Sequence, residues 1–319
     1  MNPPTLPRLQ ADVVDGPFAR DYRILQPTVM PQWLAVLAIA AALAASLYCS
    51  LVDNSLPDFA AWSSTLWLVV SLASALWITP RAFTPGFLIS LLPYLIAWRV
   101  AAMNDAPVLM WVASLGAVVL ALQLFDCIAS DWRRNRDRPG AWLGTMLWQM
   151  TLVRMYFGLN ELGHATEKIF AGLGSFHTLV HGFEGFGLTH TAPLFVVLGG
   201  LTELASAIGV GLGLLARLGG FVSLGYFLVA TLGFGGEWGR GYAWATAGGG
   251  GWEYVMLVVV VFASVMMTGA GKFSLDGWLL QRKLLPQWMT VLAVNAEGLR
   301  TASPESLSTP HASPLPAAR

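Results

Sequence analysis

The chain has 319 residues, of which 55% are hydrophobic and only 11% are charged, and its formal net charge is zero. Soluble domains carry roughly a quarter charged residues, so this composition excludes an ordinary water-soluble protein and indicates a protein of the lipid bilayer. The sequence has no basic block of the kind that binds nucleic acid, and no nucleic-acid partner is expected.

Eight apolar stretches follow one another along the chain, each close to the roughly 20 residues with which a helix crosses a bilayer. They lie near residues 33–52, 61–79, 84–100, 107–126, 141–162, 191–215, 218–236 and 252–270. A signal peptide is not expected, because charged residues and prolines precede the first apolar run. The pattern predicts an all-α integral membrane protein with about eight transmembrane helices in two four-helix halves.

The basic residues are divided unevenly between the two ends of these spans. Fourteen lie on the side that holds both termini, three lie on the opposite side, and Arg154 lies inside a span. Because cytoplasmic loops carry the excess of lysine and arginine, both termini are predicted to be cytoplasmic. The predicted location is a bacterial inner membrane.

The same pattern divides the chain into five parts. These are a cytoplasmic N-terminal segment (1–31), a first four-span half (32–130), a basic linker (131–140), a second four-span half (141–283) and a cytoplasmic tail (284–319). The tail is rich in serine, proline and alanine and is expected to be largely disordered. Segments 78–87 and 214–223 each place one arginine between two spans, which hints at a parallel repeat of the two halves.

The two cysteines are predicted to lie far apart. Cys49 falls near the outer end of the first span and Cys127 near the inner end of the fourth. A disulfide needs Cα atoms within about 7 Å, so these two are not expected to pair. Without a CxxC or CxxCH motif, neither a dithiol redox pair nor covalent haem is expected.

Two charged residues lie within predicted spans, Arg154 in the fifth and Glu203 in the sixth. A lone charge in hydrocarbon is costly, so such residues face the interior of a bundle and find partners. The fifth and sixth spans run in opposite directions and bring both residues near mid-depth, which predicts an Arg154–Glu203 ion pair. The pair would either fix the register of the helices or form a catalytic, proton-handling or ligand site.

Four of the five histidines lie in LNELGHATEKIFAGLGSFHTLVHGFEGFGLTH (159–190), which is predicted to reach the outer face. Helical spacing puts Glu161 and His164 on one face, and likewise His177, His181 and Glu184, while His190 begins the next span. Imidazole and carboxylate groups together suit zinc, iron or copper. They equally suit proton exchange or a quinone headgroup, or a hydrogen-bonded structural loop. At least two of the histidines are expected to converge with Glu161 or Glu184.

Three segments of the second half resemble the DoxX family of membrane proteins. They are LVRMYFGLNELGHATEKIF (152–170), GGLTELASAIGVGLGLLARLGGF (199–221) and TGAGKFSLDGWL (268–279), in that order across 141–280. The resemblance implies a four-helix bundle associated with membrane-bound redox complexes, such as the DoxD subunit of thiosulfate:quinone oxidoreductase. It also implies that Arg154, Lys168, Glu203 and Lys272 occupy positions of the family pattern.

The sequence therefore supports three functional hypotheses. The first is a membrane subunit of a quinone-linked oxidoreductase, whose partner subunits in the membrane or periplasm bring the redox centre. The second is a non-catalytic scaffold that assembles another membrane complex. The third is a small-solute transporter, favoured by the buried charges and the repeat. Quinone and a metal ion are the candidate cofactors, and lipid is an expected partner.

Overall fold

The apolar stretches fold into helices separated by short turns, as the computed structural model shows for residues 27–136, 141–231, 238–243 and 250–294. The helices are Gln32–Leu51 (α1), Asp58–Ala73 (α2), Phe83–Met103 (α3), Pro107–Asn135 (α4), Ala141–Ile169 (α5), Leu173–Gly185 (α6), Ala192–Ser206 (α7), Ala216–Val229 (α8), Trp252–Thr268 (α9), Leu275–Gln281 (α10) and Thr290–Ala293 (α11). Two π-helical segments, Ser74–Ile78 and Ala207–Gly211, extend α2 and α7. The described residues contain no strand, and Gly269 and Val294 form an isolated bridge.

Five of these helices are long and apolar enough to cross a membrane. They are Gln32–Leu51, Asp58–Ile78, Phe83–Met103, Pro107–Arg134 and Ala192–Gly211. The other three predicted spans correspond to α5, which carries four charged residues, and to the shorter apolar helices α8 and α9. The predicted all-helical, multi-pass fold is therefore confirmed.

One core runs through both halves of the chain. Buried side chains of α1 to α4 form a continuous cluster with Met155 and Leu162 of α5 and with Phe273 beyond α9. α3 packs against α5, while α5 packs against α7 and its π-helical end, and α8 packs against α9. The second half is thus built around α5, which also joins it to the first half.

The ends of the predicted segments differ in part from the structure. The basic linker 131–140 begins as helix, because α4 continues to Asn135, and residues 137–140 lie outside the described residues. The described end of the N-terminal segment is bound to α4, since the carboxylate of Asp126 accepts hydrogen bonds from the N–H groups of Val29 (2.6 Å) and Met30 (2.8 Å). The tail predicted to be largely disordered begins with ordered residues, which form a 3-10 helix at Gln287–Met289 and α11, while residues 295–319 lie outside the described residues.

Both cysteines are buried, and they do not form a disulfide with each other.

Candidate functional site

The predicted Arg154–Glu203 ion pair is wrong. The Arg154 side chain is buried in the middle of α5, and its guanidinium donates hydrogen bonds to four backbone carbonyls. These belong to Val210 (2.9 Å) and Gly211 (2.6 Å) after α7, and to Ala270 and Phe273 between α9 and α10. Glu203 precedes Val210 by seven residues, which is roughly 10 Å along a helix, so the two charges lie at different depths.

The carbonyls around Arg154 are available because the backbone leaves regular α-helix there. α7 ends in the π-helical segment Ala207–Gly211, and the following turn contains Leu215 in the left-handed region (φ 48°). The carboxylate of Asp276 accepts hydrogen bonds from the N–H groups of Leu215 (2.7 Å) and Ala216 (2.8 Å), which begin α8. Burial raises the pKa of Asp276 to about 6, although these N–H groups and Arg154 oppose the shift. This geometry favours a structural role for Arg154, which holds the α7–α8 turn against the segment before α10.

Glu203 instead forms a buried ion pair with Lys168. The Lys168 ammonium lies 2.8 and 2.9 Å from the two carboxylate oxygens of Glu203, and the two side chains are 9% and 6% exposed. The hydroxyl of Tyr226 on α8 donates a third hydrogen bond to Glu203, at 2.9 Å. Three helices, α5, α7 and α8, therefore meet at one charged group. We call Lys168, Glu203 and Tyr226 the charged triad.

Glycines of α7 make room for the charged triad. A Cβ atom on Gly200 would lie 2.9 Å from the Cβ of Lys168, closer than real side-chain carbons approach, and one on Gly199 would lie 3.2 Å from the Tyr226 hydroxyl. The lysine stem thus lies in a groove that larger residues would fill. The small residues in 199–220, which the sequence suggested as helix-packing faces, here admit a long cation into the bundle.

A second carboxyl group, that of Glu161, lies beside the charged triad. Glu161 is 1% exposed, and its Oε2 atom has no hydrogen-bond partner among the described residues. It lies within electrostatic reach of Lys168, Glu203 and Tyr254. The neighbouring residue, Asn160, donates a hydrogen bond of 2.8 Å to the Tyr254 hydroxyl in the first turn of α9. All four long helices of the second half therefore contribute polar groups to this region.

The outer end of α5, in the predicted orientation, is bound to the first half of the chain. The guanidinium of Arg99 on α3 pairs with Glu167, and His164 approaches the same carboxylate at 3.9 Å. Asn104 donates a hydrogen bond of 2.9 Å to the carbonyl of Ala171 just beyond α5. These contacts fix the end of the helix that carries Glu161 and Lys168.

The histidine-rich segment contains a helix, α6, which is the conformation that the spacing of His177, His181 and Glu184 requires, but the described residues do not assemble the proposed metal site. No three side chains of His, Cys, Asp or Glu are grouped as metal ligands within the described residues, which include Glu161, His164, His177, His181, Glu184 and His190. All four histidines are exposed. Histidines were predicted to meet Glu161 or Glu184, and His181 does so, because its ring nitrogen lies 2.9 Å from the carboxylate of Glu184.

The reason lies in the orientation of α6. Its apolar residues Phe176, Val180 and Phe183 pack toward α7, which turns His177 and His181 away from the bundle. Glu161 is instead buried inside the bundle, where its electrostatic neighbours include Lys168 and Glu203. The two predicted sets, Glu161 with His164 and His177 with His181 and Glu184, therefore do not form one metal site within the described residues.

A separate polar contact joins the two halves at the opposite end of α5. Lys272 pairs with Asp131 of α4, and the indole N–H of Trp148 donates a hydrogen bond of 2.8 Å to the same carboxylate. Both charged side chains are almost fully buried, and a cavity of about 100 Å³ lies beside them, bordered by Ile128 and Thr145 among others. The resemblance had marked Lys272, whereas Asp131 was assigned to a linker.

Sequence reasoning missed Tyr226, Tyr254 and Asp131 as members of these polar clusters. Tyrosines in apolar helices are also common packing residues, so neither tyrosine carried a signal by itself. Asp131 lies next to an arginine-rich run, and it was therefore interpreted as part of a solvated linker. Its helical continuity with α4 was the signal that could have identified it.

The comparisons with known proteins concern this same half of the chain. Residues 149–236 match the model of the DoxX family, a segment that includes Arg154, Glu161 and the charged triad. Lys272 and Tyr254 follow the matched segment. No curated protein and no solved structure matches the chain. The resemblance seen in the sequence is thus confirmed over this segment, and the second half of the chain carries a DoxX domain.

Proposed function

We propose that the protein is a membrane subunit of a quinone-linked oxidoreductase, in which the charged triad binds the quinone headgroup. The observation that supports this is the buried Lys168–Glu203–Tyr226 contact, which lies inside the segment matching the DoxX family. Quinone carbonyl oxygens accept hydrogen bonds, and an ammonium and a phenol are suitable donors. A polar group buried at a helix interface of a membrane bundle is costly, which favours a functional reason for keeping it.

In this proposal a partner subunit supplies the electrons that reduce the quinone. Reduction of a quinone to a quinol consumes two electrons and two protons, so a second subunit with a redox centre must deliver the electrons. We place this partner in the membrane or on its periplasmic side. The exposed polar face of α6, with His177 and His181, lies at the same end of the bundle as Glu167, to whose carbonyl Ser175 donates a hydrogen bond.

The proposed location is a bacterial inner membrane with both termini in the cytoplasm. Its support is the excess of basic residues on the side of the termini. In this orientation the charged triad lies toward the outer side of the bilayer. The Lys272–Asp131 contact lies toward the cytoplasm.

Quinone bound to the purified protein tests the proposal. The full chain is extracted from its own membranes in mild detergent, and the quinone content per chain is measured after solvent extraction and chromatography. Wild type is expected to retain quinone, while Lys168→Met and Glu203→Gln lose it. Glu184→Gln is the matched control, because Glu184 is a carboxylate of α6 that contacts His181 outside the bundle.

Two results would contradict the proposal. One is wild-type protein without quinone that co-purifies with a stoichiometric partner, which is the result expected of a scaffold. The other is equal quinone content in wild type, Lys168→Met and Glu203→Gln, because binding would then occur away from the charged triad.

A further inference from the structure

Glu161 lies among titratable groups from every long helix of the second half. Lys168 and His164 share α5 with it, Glu203 is on α7, Tyr226 is on α8 and Tyr254 is on α9. Arg99 of α3, a cation of the first half, pairs with Glu167. The surroundings of Glu161 therefore contain one other carboxylate and few cations.

The positive charges near Glu161 are already bound to other groups. The Lys168 ammonium lies between both oxygens of Glu203. Arg154 precedes Glu161 by seven residues, which is roughly 10 Å along α5, and its guanidinium is occupied by backbone carbonyls. The other basic neighbour of Glu161, His164, approaches the carboxylate of Glu167 at 3.9 Å, and Glu161 forms no ion pair among the described residues.

A buried carboxylate without a counter-ion is strongly disfavoured, and such a group binds a proton instead. The unpartnered Oε2 atom of Glu161 agrees with this, because a carboxylate buried in a protein normally accepts hydrogen bonds on both oxygens. Glu203 differs, since its two oxygens accept from Lys168 and one of them also from Tyr226. The two carboxyl groups therefore differ in the contacts that could stabilise a negative charge.

We infer that Glu161 is a proton-binding site, which holds a proton at neutral pH and exchanges it with water at the end of the bundle where α9 begins. Tyr254 supports the exchange, because its partly buried side chain lies in the first turn of α9 within electrostatic reach of Glu161, and its hydroxyl accepts a hydrogen bond from Asn160. The use of this proton in quinone chemistry rests on the proposed function. The existence of the proton-binding site does not.

Infrared difference spectroscopy on the detergent-purified, quinone-free full chain tests the inference. A protonated carboxyl group has a C=O stretching band that is separate from carboxylate and amide bands. The spectrum of wild type minus that of Glu161→Gln is expected to show this band at neutral pH, and the band is expected to shift when water is replaced by D₂O. A spectrum without the band would show that Glu161 is not protonated. A band that does not shift in D₂O would show that its proton does not exchange with water.

Thermal unfolding of two matched variants gives an independent test. Glutamine resembles a protonated glutamate in shape and charge, so Glu161→Gln is expected to unfold at nearly the wild-type temperature. Glu203→Gln is expected to unfold at a clearly lower temperature, because Lys168 loses its counter-ion. Equal losses in both variants would overturn the inference by showing that Glu161 is ionised and paired. Protein without quinone that passes both tests would refute the proposed function alone.

Discussion

The charged triad predicts a large coupling energy between Lys168 and Glu203. Both side chains are nearly buried, and the ammonium contacts both carboxylate oxygens within 2.9 Å. Removal of one partner from a buried pair typically costs about 3–5 kcal/mol, because the other charge stays desolvated and unpaired. We therefore expect Lys168→Met or Glu203→Leu alone to lower the free energy of unfolding by about 3–5 kcal/mol.

The double variant should be far less damaging than the sum of the two changes. Replacement of a buried pair by apolar groups of similar size is often neutral, since neither charge has to be desolvated. The measurement is a double-mutant cycle by equilibrium unfolding in mixed micelles, with Glu184→Leu as an exposed control. A coupling energy below about 0.5 kcal/mol, which is the usual scatter for independent sites, would refute the pairing seen here.

Three further predictions concern other parts of the fold. Arg154→Lys should lose about 1.5–3 kcal/mol of unfolding free energy for each charged hydrogen bond that lysine cannot replace, and unchanged stability would exclude the carbonyl contacts. Gly158→Ala should lower the free energy of unfolding by about 1–3 kcal/mol, because the added Cβ would overlap the backbone of Gly211. Gly225→Ala, whose Cβ would meet open space, should be neutral or slightly stabilising. Equal unfolding curves for the two variants would contradict this packing. In intact cells, Gly182→Cys should react with an impermeant thiol reagent and Arg134→Cys should not, and the reverse labelling would refute the proposed orientation.

The transmembrane spans could be predicted because the apolar pattern of each one extends over many residues. A helix that crosses hydrocarbon needs about 20 apolar residues, so errors at single positions do not remove the pattern. The π-helical ends of α2 and α7 carried no comparable signal. They depend on packing, as at Gly158 and Gly211, where two backbones approach each other. Interhelical contacts of this kind are not encoded in the hydropathy of either helix.

The charged partners were harder to predict because depth and facing direction both matter. Arg154 and Glu203 were each correctly placed in a buried interior, but a difference of roughly 10 Å along the helix axis gave each a different partner. Glu161 and His164 are three residues apart, which leaves about 60° between their directions on a helix. That angle suffices to bury Glu161 and expose His164. Their shared helix face therefore did not make them ligands of one site.

The two halves share a local repeat, although not in the alignment that the arginines suggested. Each half has a five-residue π-helical segment, a four-residue turn and a following helix, at Ser74–Ile78 before α3 and at Ala207–Gly211 before α8. Ser90 and Ser223 are equivalent in this register, and each hydroxyl donates a hydrogen bond to the carbonyl of a glycine four residues earlier.

This register shows where the two halves differ. It aligns Arg81 with Leu214 rather than with Arg217, so the alignment based on the arginines was wrong by three residues. In the same alignment Val70 is equivalent to Glu203, and Pro93 is equivalent to Tyr226. The first half therefore repeats the turn but lacks the acid and the phenol of the charged triad. A shared scaffold with polar groups in one copy is what we expect if those groups serve function, because the turn itself folds without them in the other copy.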